Sequence, residues 1–578
     1  MKININKVFW QRFGVAAPLV GLASIWVMSR VANVLPKIMG DELTYSMDAR
    51  KLALGDSTVP NYLFNLLFSS TNVCGYNFYG CAKGINLALL IGVAAVVYLL
   101  GRKLTTPSLA FFAALLVMVG PISSYVSYFS PDLMFYLGAL IVVYMALDLA
   151  SDSKVTRWAV LGGSLGLVTL IKPHALFLLP PLVIYVLYLA AKRPHSRLVS
   201  VISNSMALIA TTFIVKMGLG FAFAGTKGLA LFGGNYDSAA TKVVNLGAQV
   251  SEPTGPAAPG AMVNLANPTA SDWSFRSLSW LEPLSQGMAF HLSFYVLFFG
   301  VPSVALFVLT FRALRVKSAP LVAEKFMVLS ACVVLFSTFV SVAYVALSPA
   351  WGEPLGNRVM VRYYEYALPL VTLTLLATAS VDLKIKTWAK WFTLGICATA
   401  LIFSIAGISS SVPPLFTDSS LIASAMKSGI SLYVLGVLAL GALAYWLWSP
   451  KQGRNLWLYI FSPALVLLFA VSSYVNMTIP SSHVGMYTTA SRWAHDNLTP
   501  TQKHNLVVYG NIRQNVQAAQ FWVDDPTVTG QTVPVGGTVD LQTLPVDTYV
   551  VGIGNLVFSG HGILVHKETS FLVARVTK

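Results

Sequence analysis

The sequence predicts a polytopic α-helical membrane protein with a small α/β domain at its C-terminal end. Three observations carry this. Of the 578 residues 56% are apolar and 10% charged, against about 25% charged in an ordinary soluble domain. Apolar stretches of about 20 residues, enough to cross a hydrocarbon core of about 30 Å, recur along most of the chain. The composition then turns polar from residue 477 onward.

About thirteen apolar stretches can be drawn, at 13–36, 85–101, 107–126, 132–150, 157–171, 174–191, 198–224, 289–312, 326–348, 363–380, 390–410, 429–448 and 456–475. Lys2, Lys7 and Arg12 precede the first, and the run behind them is too long for a signal peptide and lacks a cleavage site, so it reads as an uncleaved span. The same side receives Arg102-Lys103, Lys192-Arg193, Arg312, Arg315, Lys384 and Lys386. Such clustering marks the cytoplasmic side. An odd number of crossings places the N-terminus inside and the C-terminus outside. The net charge of +16 follows from this bias and is no nucleic-acid footprint.

Residues 41–84 form the first outside loop. Asp41 and Glu42 stand directly after the first span, where two carboxylates are either solvated by headgroups or held in a cavity for a purpose. Leu43, Met47 and Leu54 recur at helical spacing, so 42–54 is expected to be an amphipathic helix on the membrane surface, stopped by Gly55. Residues 61–72 are a second interfacial candidate. Cys74 and Cys81 share this loop in a compartment that permits oxidation, and a disulfide is expected between them. Cys332 and Cys397 lie inside apolar stretches and read as core residues.

Asp41-Glu42-x-x-Tyr45-x-x-x-Ala49-Arg50, followed by Gly55-Asp56-x-x-x-Pro60, resembles the first periplasmic loop of the GT-C glycosyltransferases, above all the aminoarabinose transferase and protein mannosyltransferase branch. The resemblance implies that Asp41 is the catalytic carboxylate. The aminoarabinose branch continues with Lys-Pro-Pro-Leu where this chain has Asn61-Tyr62-Leu63-Phe64, so a lipid, O-antigen or cell-wall glycan acceptor is left open.

Further along, Asp132 opens a helix after Ser130-Pro131, as a helix-dipole partner or, by the resemblance, as a second acid facing the cavity. The neighbouring Tyr125 and Tyr128 are interfacial anchors or walls of a sugar site. Lys172, in Leu170-Ile171-Lys172-Pro173-His174, runs against the positive-inside bias and resembles the Leu-Thr-Lys turn of the same family. A lipid phosphate is its natural partner, and snorkelling to headgroups the alternative. Residues 225–288 are a second outside loop, with a Gly/Pro-rich middle suited to a lid. Its Trp273, Phe275 and Trp280, around Arg276, stack on sugar or lie in the interface. Arg358 and Arg362 enter the tenth stretch from outside, spaced to share a helical face and suited to grip phosphate, with pairing of Arg362 to Glu353 or Glu365 as the alternative.

Residues 1–476 therefore form the membrane part and 477–578 a soluble α/β domain. Strands are expected at 505–510, 548–553 and 571–576 and helices at 488–497 and 513–523. The domain has no glycine-rich phosphate loop, catalytic triad or metal cluster.

The function implied by the resemblance is transfer of a sugar from a polyprenyl-phosphate-sugar to a glycan or lipid acceptor, at the outer face of a bacterial cytoplasmic membrane. Asp41 is the base, and Lys172, Arg358 and Arg362 hold the donor phosphate. Glu42 and Asp132 orient the acceptor or hold a divalent ion, Mg or Mn. Tyr45, Tyr128, His174 and Tyr363 contact substrate. The rivals are a non-catalytic flippase for lipid-linked glycans and an oligosaccharyltransferase. Paired repeats, common in alternating-access carriers, are not found in the sequence, which favours the enzyme.

Overall fold

Long apolar runs leave their backbone polar groups no partner in hydrocarbon except one another, so they fold as helices. The computed structural model describes residues 5–36, 39–150, 152–192, 198–232, 281–316, 320–347, 361–378, 385–411, 429–469 and 481–578. Within them α1 (Ile5–Val31) leads to the short α2 (Met39–Arg50) and α3 (Tyr62–Ser69). There follow α4 (Phe78–Arg102), α5 (Pro107–Val119), α6 (Asp132–Leu147), α7 (Val155–Thr169), α8 (Leu179–Ala191) and α9 (Leu198–Ala224). The second half contributes α10 (Leu281–Arg315), α11 (Val322–Leu347), α12 (Leu368–Ala377), α13 (Thr387–Ser411), α14 (Gly429–Trp448) and α15 (Pro450–Leu456), which runs on through a π turn at Trp457–Phe461.

Among the described residues five helices are long and apolar enough to cross a membrane, or six if the pair Pro107–Val119 and Pro121–Ser127, bent by 46°, is one span. Others coincide with expected stretches but are short. Helix α12, for instance, has 10 residues, about 15 Å of rise. Large apolar side chains such as Ile25, Ile214, Phe311, Trp388 and Val437 point outward, while the inner faces form one continuous core. This outward apolar surface is the opposite of a soluble protein's and suits lipid.

The C-terminal segment carries α16 (Ser481–Asn497), α17 (Pro500–His504) and α18 (Arg513–Val523) around strands β1 (Leu506–Gly510), β2 (Thr529–Thr532), β3 (Thr538–Asp540), β4 (Tyr549–Ile553), β5 (Val557–Ser559), β6 (Gly562–Lys567) and β7 (Phe571–Val576). The main sheet has the order β2-β1-β4-β7-β6. Strand β1 runs parallel to β2 and β4, and β7 antiparallel to β4 and β6. Apolar residues of α16 and α18 cover one face, and Leu541, Leu556 and Phe558 pack on the other. Helix α17 is capped by Thr499, whose hydroxyl accepts from the Gln502 N–H while the Gln502 side chain accepts from the Thr499 N–H.

One expectation needs correction. The helix after the first span ends at Arg50, Gly55 belongs to a separate turn at Leu54–Asp56, and every residue from Tyr45 to Arg50 is buried. Helix α2 is an internal strut wedged against α3 and α18. The next helix, α3, does show an interfacial pattern, exposing Leu66 and Leu67 while burying Tyr62, Phe64 and Phe68.

Candidate active site

Four segments of the chain converge where the helices end. Asp41 lies in the first turn of α2. Asp132 is the first residue of α6, behind Pro131, where the helix dipole favours an anion. Lys172 is held extended (φ −151°, ψ 120°) between α7 and a 3-10 turn, because the following Pro173 excludes the helical conformation. Arg362 sits in the 3-10 turn Val361–Tyr363 ahead of α12, and its carbonyl accepts a hydrogen bond from the Tyr136 hydroxyl at 3.1 Å.

Together these side chains form a line of alternating charge. Lys172 Nζ donates to Asp132 Oδ1 at 2.6 Å. Arg362 donates to Asp132 Oδ2 through Nε at 3.1 Å and Nη2 at 2.9 Å, and to Asp41 Oδ2 through Nη1 at 2.7 Å. The Asp132 side chain is 0% exposed and that of Asp41 52%. The buried charges are thus paired, and the line ends in one accessible carboxylate. Aromatic rings form its walls. Lys172 Nζ lies 5.4 Å from the Tyr363 ring centroid and 5.8 Å from that of Phe135. The His174 ring lies tilted against Tyr363 at 5.0 Å, and Tyr125 meets Tyr136 edge-on at 5.4 Å.

The remaining expected residues fall as follows. Glu42, next to Asp41 but about 100° round the helix, is fully buried, and its Oε1 accepts from the Phe129 N–H at 2.8 Å. It ties the turn before Asp132 to α2 and does not stand beside Asp41 as a second reacting group. Tyr45 is buried against Phe64 at 5.9 Å. Tyr128 is buried beside Tyr125, and its carbonyl accepts from Asn86 at 2.7 Å. Both tyrosines are wall residues. Cys74 and Cys81 are joined, with Cα atoms 6.5 Å apart. Arg358, Glu353 and the Trp273–Trp280 group lie outside the described residues.

Two pairings differ from expectation. Lys172 and Arg362, read as cations awaiting a phosphate, have internal carboxylates as partners, and Arg362 pairs with Asp41 and Asp132 rather than with Glu365. The divalent ion assigned to Glu42 and Asp132 does not fit this arrangement, since both Asp132 oxygens already carry cations. Among the described residues no group of three or more His, Cys, Asp or Glu side chains is placed to hold a metal.

Sequence reasoning passed over Lys83, buried in α4, whose Nζ donates to the carbonyls of Val31 at 2.8 Å, Ala32 at 3.0 Å and Val34 at 2.9 Å. It caps the end of α1, as lysines do at helix C-termini. Sequence reasoning also missed the ion pair between Arg50 and Asp524, which no local pattern announces.

The Lys–Asp–Arg–Asp line thus pairs its charges where apolar helices end, and charged groups within membrane-spanning segments are costly unless paired. The chain resembles the GT-C superfamily of membrane glycosyltransferases: residues 63–217 match the family model described as dolichyl-phosphate-mannose-protein mannosyltransferase. The matched segment contains Asp132 and Lys172 and begins after Asp41. Comparison with curated protein sequences returned no match. Among solved structures, ArnT from Cupriavidus metallidurans in the apo state aligns at 12% identity over 98% of both chains, with a TM-score of 0.47. The archaeal oligosaccharyltransferase AglB from Archaeoglobus fulgidus, in complex with an inhibitory peptide and a dolichol-phosphate, aligns at 11% identity over 94% of this chain and 70% of its own, with a TM-score of 0.41. An Archaeoglobus fulgidus oligosaccharyltransferase complex with zinc and sulfate aligns at 12% identity over 93% and 68%, with a TM-score of 0.44.

Proposed function

We propose that the protein transfers a sugar from a polyprenyl-phosphate-sugar to a hydroxyl of a glycan or lipid acceptor, at the outer face of a bacterial cytoplasmic membrane. The observation that carries this reading is the half-exposed Asp41 held by the buried Arg362. In that pair an Asp41 oxygen is occupied by the guanidinium. A donor phosphate brings a competing anion to Arg362 and Lys172. As Arg362 turns to the phosphate, Asp41 is released to accept the acceptor's proton.

The step balances as a single displacement with inversion. The acceptor oxygen forms a bond to the anomeric carbon, its proton passes to Asp41, and the bond from that carbon to the phosphate oxygen breaks. Polyprenyl phosphate leaves as an anion and is stabilised by Arg362 and Lys172. It needs no general acid. Asp132 keeps the two cations aligned in this scheme, and Tyr363 with His174 lines the sugar's side.

The test is transfer of labelled sugar from a synthetic polyprenyl-phosphate donor by the purified protein. Asp41→Asn keeps size and removes the base, so turnover falls by about 10²–10⁴ while donor binding survives. Wild-type protein that binds donor yet never cleaves it, across a broad acceptor panel, overturns the enzyme reading in favour of a carrier.

A further inference from the structure

The tip of the C-terminal domain is built into the base of the site. Helix α18 ends at Val523, and Asp524 follows in the left-handed conformation (φ 62°, ψ 38°), which Asp and Asn adopt more readily than most L residues. Its carboxylate accepts from Arg50 Nη1 at 2.6 Å and Nη2 at 3.0 Å, and Lys51 Nζ lies 2.8 Å away. The Arg50 and Asp524 side chains are 2% and 5% exposed. Behind the pair, the Arg50 guanidinium lies 3.5 Å from the centroid of the Phe78 ring.

Two aromatic residues in the last turn of α18 complete the contact. Phe521 lies 5.3 Å from Phe78, 5.7 Å from Tyr79 and 6.5 Å from Phe129. Trp522 lies 5.9 Å from Phe78 and 5.8 Å from Tyr79. Among the described residues, Phe521 and Trp522 are the members of the C-terminal domain that join the buried core of the helical part.

Each element they touch places a site residue. Arg50 closes α2, the helix that opens with Asp41 and Glu42. Phe129 gives its N–H to Glu42 and stands three residues before Asp132. Tyr79, at the start of α4, donates its hydroxyl to the Ser127 carbonyl in the same turn. A buried ion pair is a poor way merely to attach a domain, since apolar residues of similar volume serve as well or better. A bidentate guanidinium–carboxylate pair does fix direction.

We infer that Asp524, backed by Phe521 and Trp522, is a positioning residue. It locks α2 against α4 and the 121–131 turn, and so sets the separation of Asp41 and Asp132 across Arg362. This deepens the transferase reading and rests on it for its catalytic consequence. The structural consequence stands by itself.

Asp524→Asn tests it, because Asn keeps the size and tolerates the left-handed backbone while losing the charge. Arg50→Lys is the second variant. It keeps the ion pair, and with it folding, but removes the fork. In each full-length purified variant, hydrogen exchange of residues 39–60 and 121–135 rises by about tenfold or more, as expected when a bidentate charged pair is weakened. Turnover per folded molecule falls by a similar factor. Lys51→Met, which leaves the fork intact, stays near wild type in both. Unchanged exchange in those segments overturns the inference, and so does a lowered melting temperature with unchanged turnover per folded molecule. If the wild-type protein transfers no sugar, the transferase reading fails while the exchange data still decide the positioning role.

Discussion

Arg362 shares one guanidinium between a buried and a half-exposed carboxylate, so stability and chemistry separate at this site. Removing the charge of Asp132 leaves Lys172 and Arg362 buried without their shared anion, a loss of about 3–5 kcal/mol by analogy with broken buried pairs. Lys172→Met leaves Asp132 still held by the Arg362 fork and costs about 1.5–3 kcal/mol. Asp41→Asn removes only the exposed end of the line, worth about 0–1 kcal/mol. The expected order of melting temperature in detergent is therefore wild type close to Asp41→Asn, then Lys172→Met, then Asp132→Asn. The order of lost turnover differs, with Asp41→Asn among the most damaged. An Asp41→Asn protein that melts as low as Asp132→Asn would show that the line is not arranged as described. The sequence marked Asp41, Asp132, Lys172 and Arg362 as residues out of place by charge and position. It could not tell that they satisfy one another, because residues up to 321 positions apart meet only when the helices pack.

At the level of elements, the apolar stretches were legible because hydrocarbon demands length and composition together. So were β1, β4, β7, α16 and α18, whose periodicity survives in a soluble fold. Helix α2 was misread because its burial comes from α18, which lies 474 positions away at the Arg50–Asp524 contact. Short exposed strands such as β2, with no buried residue, leave no alternation to read. The disulfide belongs to this scale. Cys74 and Cys81 enclose Gly75, at φ 55°, and Tyr76, whose ring lies 4.5 Å from His495 and 6.0 Å from Trp522. Closing so short a loop contributes about 2–3 kcal/mol. Intact mass after non-reducing alkylation should show both thiols protected, and Cys74→Ser with Cys81→Ser should lower the melting temperature and increase exchange at residues 70–81. Alkylation of both cysteines in the native, unreduced protein would rule the bridge out.

For the whole molecule, the contacts reduce two questions of sidedness to one. Helix α6 begins with Asp132 in the site and has 16 residues, so its far end is about 24 Å away. At that end Asp148 pairs with Lys103, and the Leu149 carbonyl accepts from Lys325 at 2.8 Å. Lys192 caps α10 there by donating to the carbonyls of Ala313 at 2.6 Å and Leu314 at 2.9 Å. Lys103 and Lys192 belong to the cluster that predicts the cytoplasmic face. The C-terminal domain joins α2 through Asp524, at the end of the molecule that holds Asp41. Residue 578 and the site therefore lie toward one end, and Lys192 toward the other. In intact cells a cysteine placed at 578 should react with a membrane-impermeant maleimide, while one placed at 195 should react only after permeabilisation. If 578 is protected instead, the site turns inward with it, and a donor presented on the outer face could not reach Asp41.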